Sequence, residues 1–459
     1  MLRILHSTDA AGRSWRIFYR FFIPSKSARA CLLFLAVSFL LLMPKSSDAS
    51  RIVCYFENWA QYRNSPPGNP PSCFPQNLSS IANKMTVLNY SFLLFNIDAT
   101  VNPPVVTNDW FVHNSEWNDA TLLQQAVALQ SNNANLRILI SLGGWNFNNP
   151  DPNASRYGPY TYQFFSQVCA NSTGTNRAAL IASIVRYCTD NHLHGVDIDW
   201  EYPGQSTRGG TANDYQNLIT FVSLLRTALT AQGLYLSMAV PPFLPSDTLT
   251  GTYMGGTFPD GSSYSGGTVT AGDITSYFVW YGIVAKFCDW VNVMTYDMNG
   301  PWAATTGYNA PLSPSSVTSV ESAANLWTSS MYANVNKANV VIGIPAYGHT
   351  FAGVKFPSPL TGFPNSQYAA GCSCTGPGPA GQYTQQPGSL AYFEIYNDLN
   401  PPSTFTGQAV DPNAGTAYAW NQSLGYWASF DTPSGIPGVA SSVALKAQYI
   451  LSQQLGGAM

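Results

Sequence analysis

Asp197, Asp199 and Glu201 recur at two-residue intervals in the stretch 193–204, and on an extended strand that spacing points all three carboxyls to one side. Like charges this close disfavour joint ionisation, so at least one of the three is expected to keep its proton near neutral pH. A carboxyl held in that state is suited to protonating a leaving group. Three inward acids are expensive to keep for stability alone, which argues against a hydrogen-bonded network with no chemistry. Oxygen ligands of this kind also suit magnesium or calcium. No further acid or histidine cluster accompanies the triplet, so neither a metal nor a cofactor is expected.

The elements that must hold these acids read as alternating strands and helices. Short β-type runs fall at 51–56, 85–95, 136–142, 195–201, 234–240, 290–296 and 340–347. Helical patterns fall at 176–188, 274–286 and 318–334, and Leu218, Phe221, Leu224, Leu225 and Leu229 repeat at helical spacing before the stop at Gly233. Strand-then-helix units imply a parallel sheet, and seven in this rhythm predict an α/β protein, a (β/α)8 TIM barrel with its eighth strand near the end. A Gly/Ser/Thr-rich stretch, 249–272, reads as a long loop over one barrel face. The segment 349–425 reads as a small α+β subdomain walling a cleft, and 426–459 as the last helix, 442–454, with a partial eighth strand. Strands one and seven are then expected to have poorly paired edges.

In such a barrel, functional groups gather at the C-terminal ends of strands. Glu201 ends the fourth, Ser141-Leu142-Gly143-Gly144-Trp145 the third and Met294-Thr295-Tyr296-Asp297 the sixth. Glycines such as Gly144 let a ligand approach the backbone. Sugars present apolar C–H faces that stack on rings, so Tyr55, Phe92, Trp145, Trp302 and Tyr347 are candidates for a cleft floor.

Charged residues make up 9% of the 459, with Asn, Ser, Thr, Gly and Tyr abundant, a composition suited to a neutral polar ligand. The formal charge is −3, but residues 1–49 carry seven Lys/Arg against two Asp, so the remainder sits at −8, and nucleic acid is not an expected partner. The apolar run 30–43 follows Arg13, Arg16, Arg20, Lys26 and Arg29 and precedes the small residues Ser47-Asp48-Ala49. It is short for a bilayer span and reads as a secretory signal over 1–49, leaving no membrane span once removed. Loss of Cys31 leaves seven cysteines in an oxidising compartment, where disulfides are expected, and five sequons (Asn77, Asn89, Asn153, Asn171, Asn421) fit the same route.

At its strand ends the chain resembles the family 18 glycoside hydrolases, the chitinases. The fourth-strand signature Asp-x-x-Asp-x-Asp-x-Glu corresponds to His194-Gly195-Val196-Asp197-Ile198-Asp199-Trp200-Glu201; Ser-x-Gly-Gly to Ser141–Gly144; and Met-x-Tyr-Asp to Met294–Asp297. The first strand is similar over 53–63 and the seventh over 343–348. The resemblance implies retaining, substrate-assisted hydrolysis of β-1,4-linked N-acetylglucosamine in chitin or chitooligosaccharides, by a secreted monomer. It implies Glu201 as acid then base, Asp199 orienting the 2-acetamido group, Asp197 sharing a proton with Asp199, Tyr296 donating to the acetamido oxygen, and Asp297 assisting binding. Gly144 and Met294 join the substrate-binding set through the same motifs.

Three positions depart from the family pattern. His194 replaces the first Asp, His349 stands where some relatives carry Arg, and the chain reaches Met459 before the Trp that ends the eighth strand in relatives. Two other readings keep the cleft: a chitin-binding lectin without hydrolysis, and an endo-β-N-acetylglucosaminidase acting on N-glycans. Lectin relatives typically lack the acid that this chain has as Glu201.

Overall fold

The computed structural model describes residues 50–459 except 64–71, 152–156, 158–159, 171–172, 315, 358–364, 400–403 and 434–440, and in the leader only the ladder of Ser7–Thr8 with Ser14–Trp15. The expected signal run 30–43 and the sequons Asn153 and Asn171 lie outside the described residues.

Eight parallel strands close on themselves: β1 Arg51–Glu57, β2 Val87–Phe95, β3 Arg137–Gly143, β4 Gly195–Asp199, β5 Tyr235–Val240, β6 Trp290–Val293, β7 Val340–Ile342 and β8 Gly457–Ala458. Strands β2 to β7 are buried almost throughout, as parallel strands covered on both faces must be, and are mostly apolar apart from the buried polar residues that reach the site. Helices Thr175–Asp190, Asp214–Thr230, Ile274–Ala285, Val320–Thr328 and Ser442–Ser452 run between strands. Asp273 caps the third of these by accepting from the N–H groups of Thr275 and Ser276. The first crossover instead uses the 3-10 segment Pro75–Lys84.

The eighth strand is short, yet the expectation of poorly paired edges is overturned. Gly457 and Ala458 pair with Val341 and Ile342 on one side and with Arg51 and Ile52 on the other. Flanking backbone bonds lengthen this seam: Gly456 N–H to Val340 (2.8 Å), Met459 N–H to Ile342 (2.9 Å) and Ile344 N–H to Met459 (2.8 Å). The Met459 side chain packs inside the barrel with Val53, Val87, Leu139, Trp290 and Val341. Because β7 itself has three residues, a two-residue partner suffices to cover it.

Other boundaries shift as well. β4 ends at Asp199, so Glu201 lies in the bend beyond it, and β7 ends at Ile342, before Pro345. Tyr347–Ala352 belongs instead to an antiparallel sheet with Gly376–Pro377, Tyr426–Phe430, Thr416–Asn421 and Gly407–Asp411 in that order around it, and helix Tyr392–Asp398 packs nearby. That sheet takes in residues on both flanks of 349–425. Along Thr416–Asn421, Ala417 and Ala419 enter one apolar cluster and Tyr418 and Trp420 another, the period-two pattern of a sheet covered on both faces. The expected loop 249–272 is a pair of small antiparallel ladders, Gly251–Tyr253 with Gly267–Val269 and Gly256–Thr257 with Ser263–Tyr264.

The expected disulfides are absent among the described residues: all seven cysteines after the leader are free thiols. Five point their sulfurs at carbonyls instead, Cys73 at Phe74, Cys188 at Gly195, Cys288 at Val284, Cys372 at Ala369 and Cys374 at Ala303. Of the sequons, Asn77 is exposed, whereas Asn89 and Asn421 are buried strand residues. No described helix is long and apolar enough to cross a membrane.

Two stability tests follow from the seam and the last helix. Gly457 has φ +146°, and a Cβ there would lie 2.0 Å from the Arg51 carbonyl oxygen, so Gly457→Ala is expected to lower unfolding free energy by about 1–3 kcal/mol in urea titrations. Lys446 is fully buried and ion-paired with buried Asp431; Lys446→Ala is expected to cost about 3–5 kcal/mol by stranding the aspartate, and Lys446→Met with Asp431→Leu far less.

Candidate active site

Parallel register brings Ser141 of β3, Asp197 of β4 and Ser237 of β5 abreast. Asp197 is fully buried and both its oxygens are saturated: Oδ2 accepts from Tyr55 Oη (2.8 Å) and Ser141 Oγ (2.8 Å), and Oδ1 from Ser237 Oγ (2.6 Å) and Asn292 Nδ2 (3.1 Å). Asn292 also donates to Tyr55 Oη (2.9 Å). Burial pushes the Asp197 carboxyl up while these four donors pull it down.

Asp199, two residues on, has a different environment. Its Oδ1 is buried with no hydrogen-bond partner. Burial first, then the charges of Glu201 and Asp197, hold its carboxyl well above the usual carboxylate range. Asp197 and Asp199 interact through charge, Asp197 helping to raise the Asp199 carboxyl.

Glu201 is buried, and its peptide bond to Tyr202 is cis. Burial raises its carboxyl to about 7, with Asp297 adding to the rise and Arg208 and Tyr202 opposing it. The triplet thus spans three environments: one saturated acid, one unpartnered acid and one poised near neutrality.

The strand ends of β6 and β7 face this group. Tyr296 is half-buried, and Asp199, Asp297, Glu201 and Asp197 all disfavour its ionisation after burial does, so it stays a neutral O–H donor. A Cβ at Gly343 would meet its ring at 2.7 Å, so the glycine is what admits the tyrosine. Asp297 adopts φ +56°, its N–H held by Asn309 Oδ1 (2.8 Å). Its Oδ1 accepts from Tyr347 Oη (2.6 Å) and faces His349 Nε2 (2.7 Å). Met294 is buried beneath them.

The candidate rings divide by exposure. Trp145 and Trp302 are exposed at 52% and 66%, and Trp302 meets His349 edge-on at 5.2 Å. Phe92 is half-buried, packed against Gly144, where a Cβ would lie 2.7 Å from its ring, and stacked on Trp59 at 6.1 Å. Tyr55 is tied by its hydroxyl to Asp197. Sequence reasoning overlooked Trp59, which joins this row, and Arg208, which covers Trp145 at 3.6 Å from the ring centroid. A cation in the Gly-rich loop directly after the acidic strand is the only signal that could have found Arg208.

His194 sits at the opposite end of β4, where its Nδ1 accepts from the Ile138 N–H (3.1 Å) and burial lowers its proton affinity; it is a neutral structural group. No described cluster of three or more His, Cys, Asp or Glu has the arrangement of a metal site.

The chain is 26% identical over 435 residues to chitotriosidase-1 of Mus musculus, covering 91% of this chain and 74% of that protein. It is 27% identical to the oviduct-specific glycoprotein of Mesocricetus auratus, over 92% of this chain and 51% of that one, so it spans about half that relative's length. Among solved structures, a group IV chitinase of Ostrinia furnacalis in complex with allosamidin superposes with a TM-score of 0.63 at 25% identity, covering 89% of this chain and 91% of that one. Human YKL-39, described as a pseudo-chitinase with retained chitooligosaccharide binding, shares the fold at a TM-score of 0.63 and 24% identity, over 90% and 92% of the two chains. The model of the glycosyl hydrolases family 18 matches residues 51–459, and the chain belongs to that family.

Proposed function

We propose that this protein is a secreted chitinase that cleaves β-1,4 linkages between N-acetylglucosamine units with retention of configuration. The observation that carries the reading is Glu201, a buried carboxyl poised at about 7 beside the unpartnered oxygen of Asp199.

Glu201 begins protonated and gives its proton to the glycosidic oxygen as the bond to the anomeric carbon breaks. The substrate's own acetamido oxygen attacks that carbon, forming an oxazolinium ion. Asp199 accepts the acetamido N–H on its free Oδ1 and so orients the group. Tyr296 donates a hydrogen bond from its neutral hydroxyl to the acetamido oxygen and orients it for attack. Asp197, anchored by four donors, keeps Asp199 on its face of the strand and adds a fixed negative charge behind it. Glu201, now a carboxylate, takes a proton from the water that opens the ring, restoring the enzyme. Asp297, Tyr347 and Met294 bound the sugar, while Trp145, Trp302 and Phe92 supply stacking surface, with Gly144 making room for the Phe92 ring.

A lectin that binds chitooligosaccharides without cleaving them is the second reading, favoured by the presence of a pseudo-chitinase among the proteins sharing this fold. An endo-β-N-acetylglucosaminidase would use the same acid pair on N-glycans.

Chitotetraose and a high-mannose glycopeptide separate these readings. Chitotetraose alone is expected to be cleaved, and Glu201→Gln is expected to slow that cleavage by about 10²–10⁴-fold while still binding the oligomer. Binding without cleavage by the wild type would establish the lectin. The pH dependence has a defined sign: the acid must carry its proton, so kcat/KM is expected to fall as pH rises through about 7. A profile that stays flat to pH 9 would remove Glu201 from the acid role.

A further inference from the structure

The 204–211 loop, which leaves the acidic strand and leads into helix Asp214–Thr230, is hydrogen-bonded at both ends. Buried Asp214 accepts from Gly204 N–H (3.0 Å), Thr211 N–H (2.9 Å), Thr211 Oγ1 (2.8 Å) and Ser166 Oγ (2.6 Å), so one carboxylate fastens both ends of the loop. Inside it, Arg208 and Gly210 N–H groups donate to the Gln205 carbonyl (3.1 and 2.9 Å), and Ser206 N–H donates to Asp247 (3.0 Å). At the tip, the Arg208 guanidinium lies 3.6 Å from the Trp145 ring centroid and donates from Nη1 to the Asn148 carbonyl (3.0 Å). Asn148 in turn donates from Nδ2 to the Gly144 and Asp199 carbonyls (2.8 and 3.0 Å). The turn carrying Trp145 is therefore tied to β4 on one side and to Arg208 on the other.

Arg208 is half-buried and within electrostatic reach of Glu201. The other groups facing Glu201 are Asp199 on β4, Tyr202 beside it, Tyr281 on helix Ile274–Ala285, Tyr296 and Asp297 beyond β6, and Tyr347 beyond β7. All of these are acids or hydroxyls. Arg208 is the cation in the set.

We propose that Arg208 is a positioning residue of the site: its guanidinium, fixed by the stapled loop against Trp145 and the Asn148 carbonyl, holds the ring in one pose and serves as counter-charge to the carboxylate that Glu201 becomes after giving up its proton. The shape of the side chain matters for the first task. A planar guanidinium stacks flat on a ring, whereas an ammonium delivers charge without the plane. One face of Trp145 is thereby occupied, and the exposed remainder of the ring is left for a sugar. The catalytic consequence rests on the chitinase reading; the electrostatic assignment does not.

The chain has only five glutamates, so glutamate labelled with ¹³C at the side-chain carboxyl gives a resolvable titration, with the Glu201 signal assigned by its loss in Glu201→Gln. In Arg208→Gln the Glu201 midpoint is expected to rise by roughly one pH unit, and the alkaline limb of kcat/KM on chitotetraose to move with it. Arg208→Lys is expected to restore the midpoint toward wild type while still raising KM, because the charge returns without the stack. Trp145→Leu, which leaves Arg208 in place but removes its platform, is expected to move the midpoint in the same direction by less. An unchanged midpoint in Arg208→Gln, or in both Arg208→Lys and Trp145→Leu with KM also unchanged if Arg208→Gln does not fold, would overturn the assignment. A wild type that cleaves no chitotetraose would overturn the chitinase reading alone, since the carboxyl titration still decides the role of Arg208.

Discussion

A carboxylate buried at the centre of a barrel has to be compensated, and the compensation of Asp197 organises the rest of the site. Its four donors come from β1, β3, β5 and β6, so the hydrogen bonds of one side chain tie together strands on different sides of the barrel. Such charge-assisted bonds are short and directional. They fix the face and height of β4, and through it the position of Asp199 and of the bend that carries Glu201. A shift of one residue in that register would turn all three acids away from the interior.

Around this anchor, the site is graded from saturated to unsatisfied. Asp197 has all the donors it can use, Asp199 has an oxygen with none, and Glu201 stands between burial and Asp297 on one side and Arg208 on the other. The same carboxyl chemistry is thus set to three different proton affinities by neighbours alone, which is how one strand can supply both a fixed charge and a mobile proton. The antiparallel sheet that begins at Tyr347 contributes to the grading, since Tyr347 and His349 both take the Asp297 carboxylate.

Much of the barrel was legible because buried parallel strands leave continuous apolar runs bounded by glycine and proline; β1 to β6 begin within two residues of where those runs begin. β7 was read too long because the apolar pattern continues through Ile344 and Ala346, whereas the hydrogen-bonded ladder stops before Pro345. The seam at β8 was read as incomplete because strand length alone hides what flanking backbone groups add. At the site, the acid triplet and the two strand-end motifs stood out by spacing within single segments. The partners of Asp197 did not, because Ser141, Ser237 and Asn292 become neighbours only through inter-strand register. Arg208 was equally hidden: its contacts with Trp145 and Asn148 cross from one strand-end loop to another.

The unpartnered oxygen of Asp199 implies that the resting molecule is frustrated by construction. A buried acceptor without a donor weakens the folded state, and a neutral apolar side chain at that position would fold more comfortably. Keeping the aspartate therefore trades resilience for readiness, a bargain common where residues serve chemistry rather than architecture. The heart of this barrel is where its tolerance to heat or denaturant is spent.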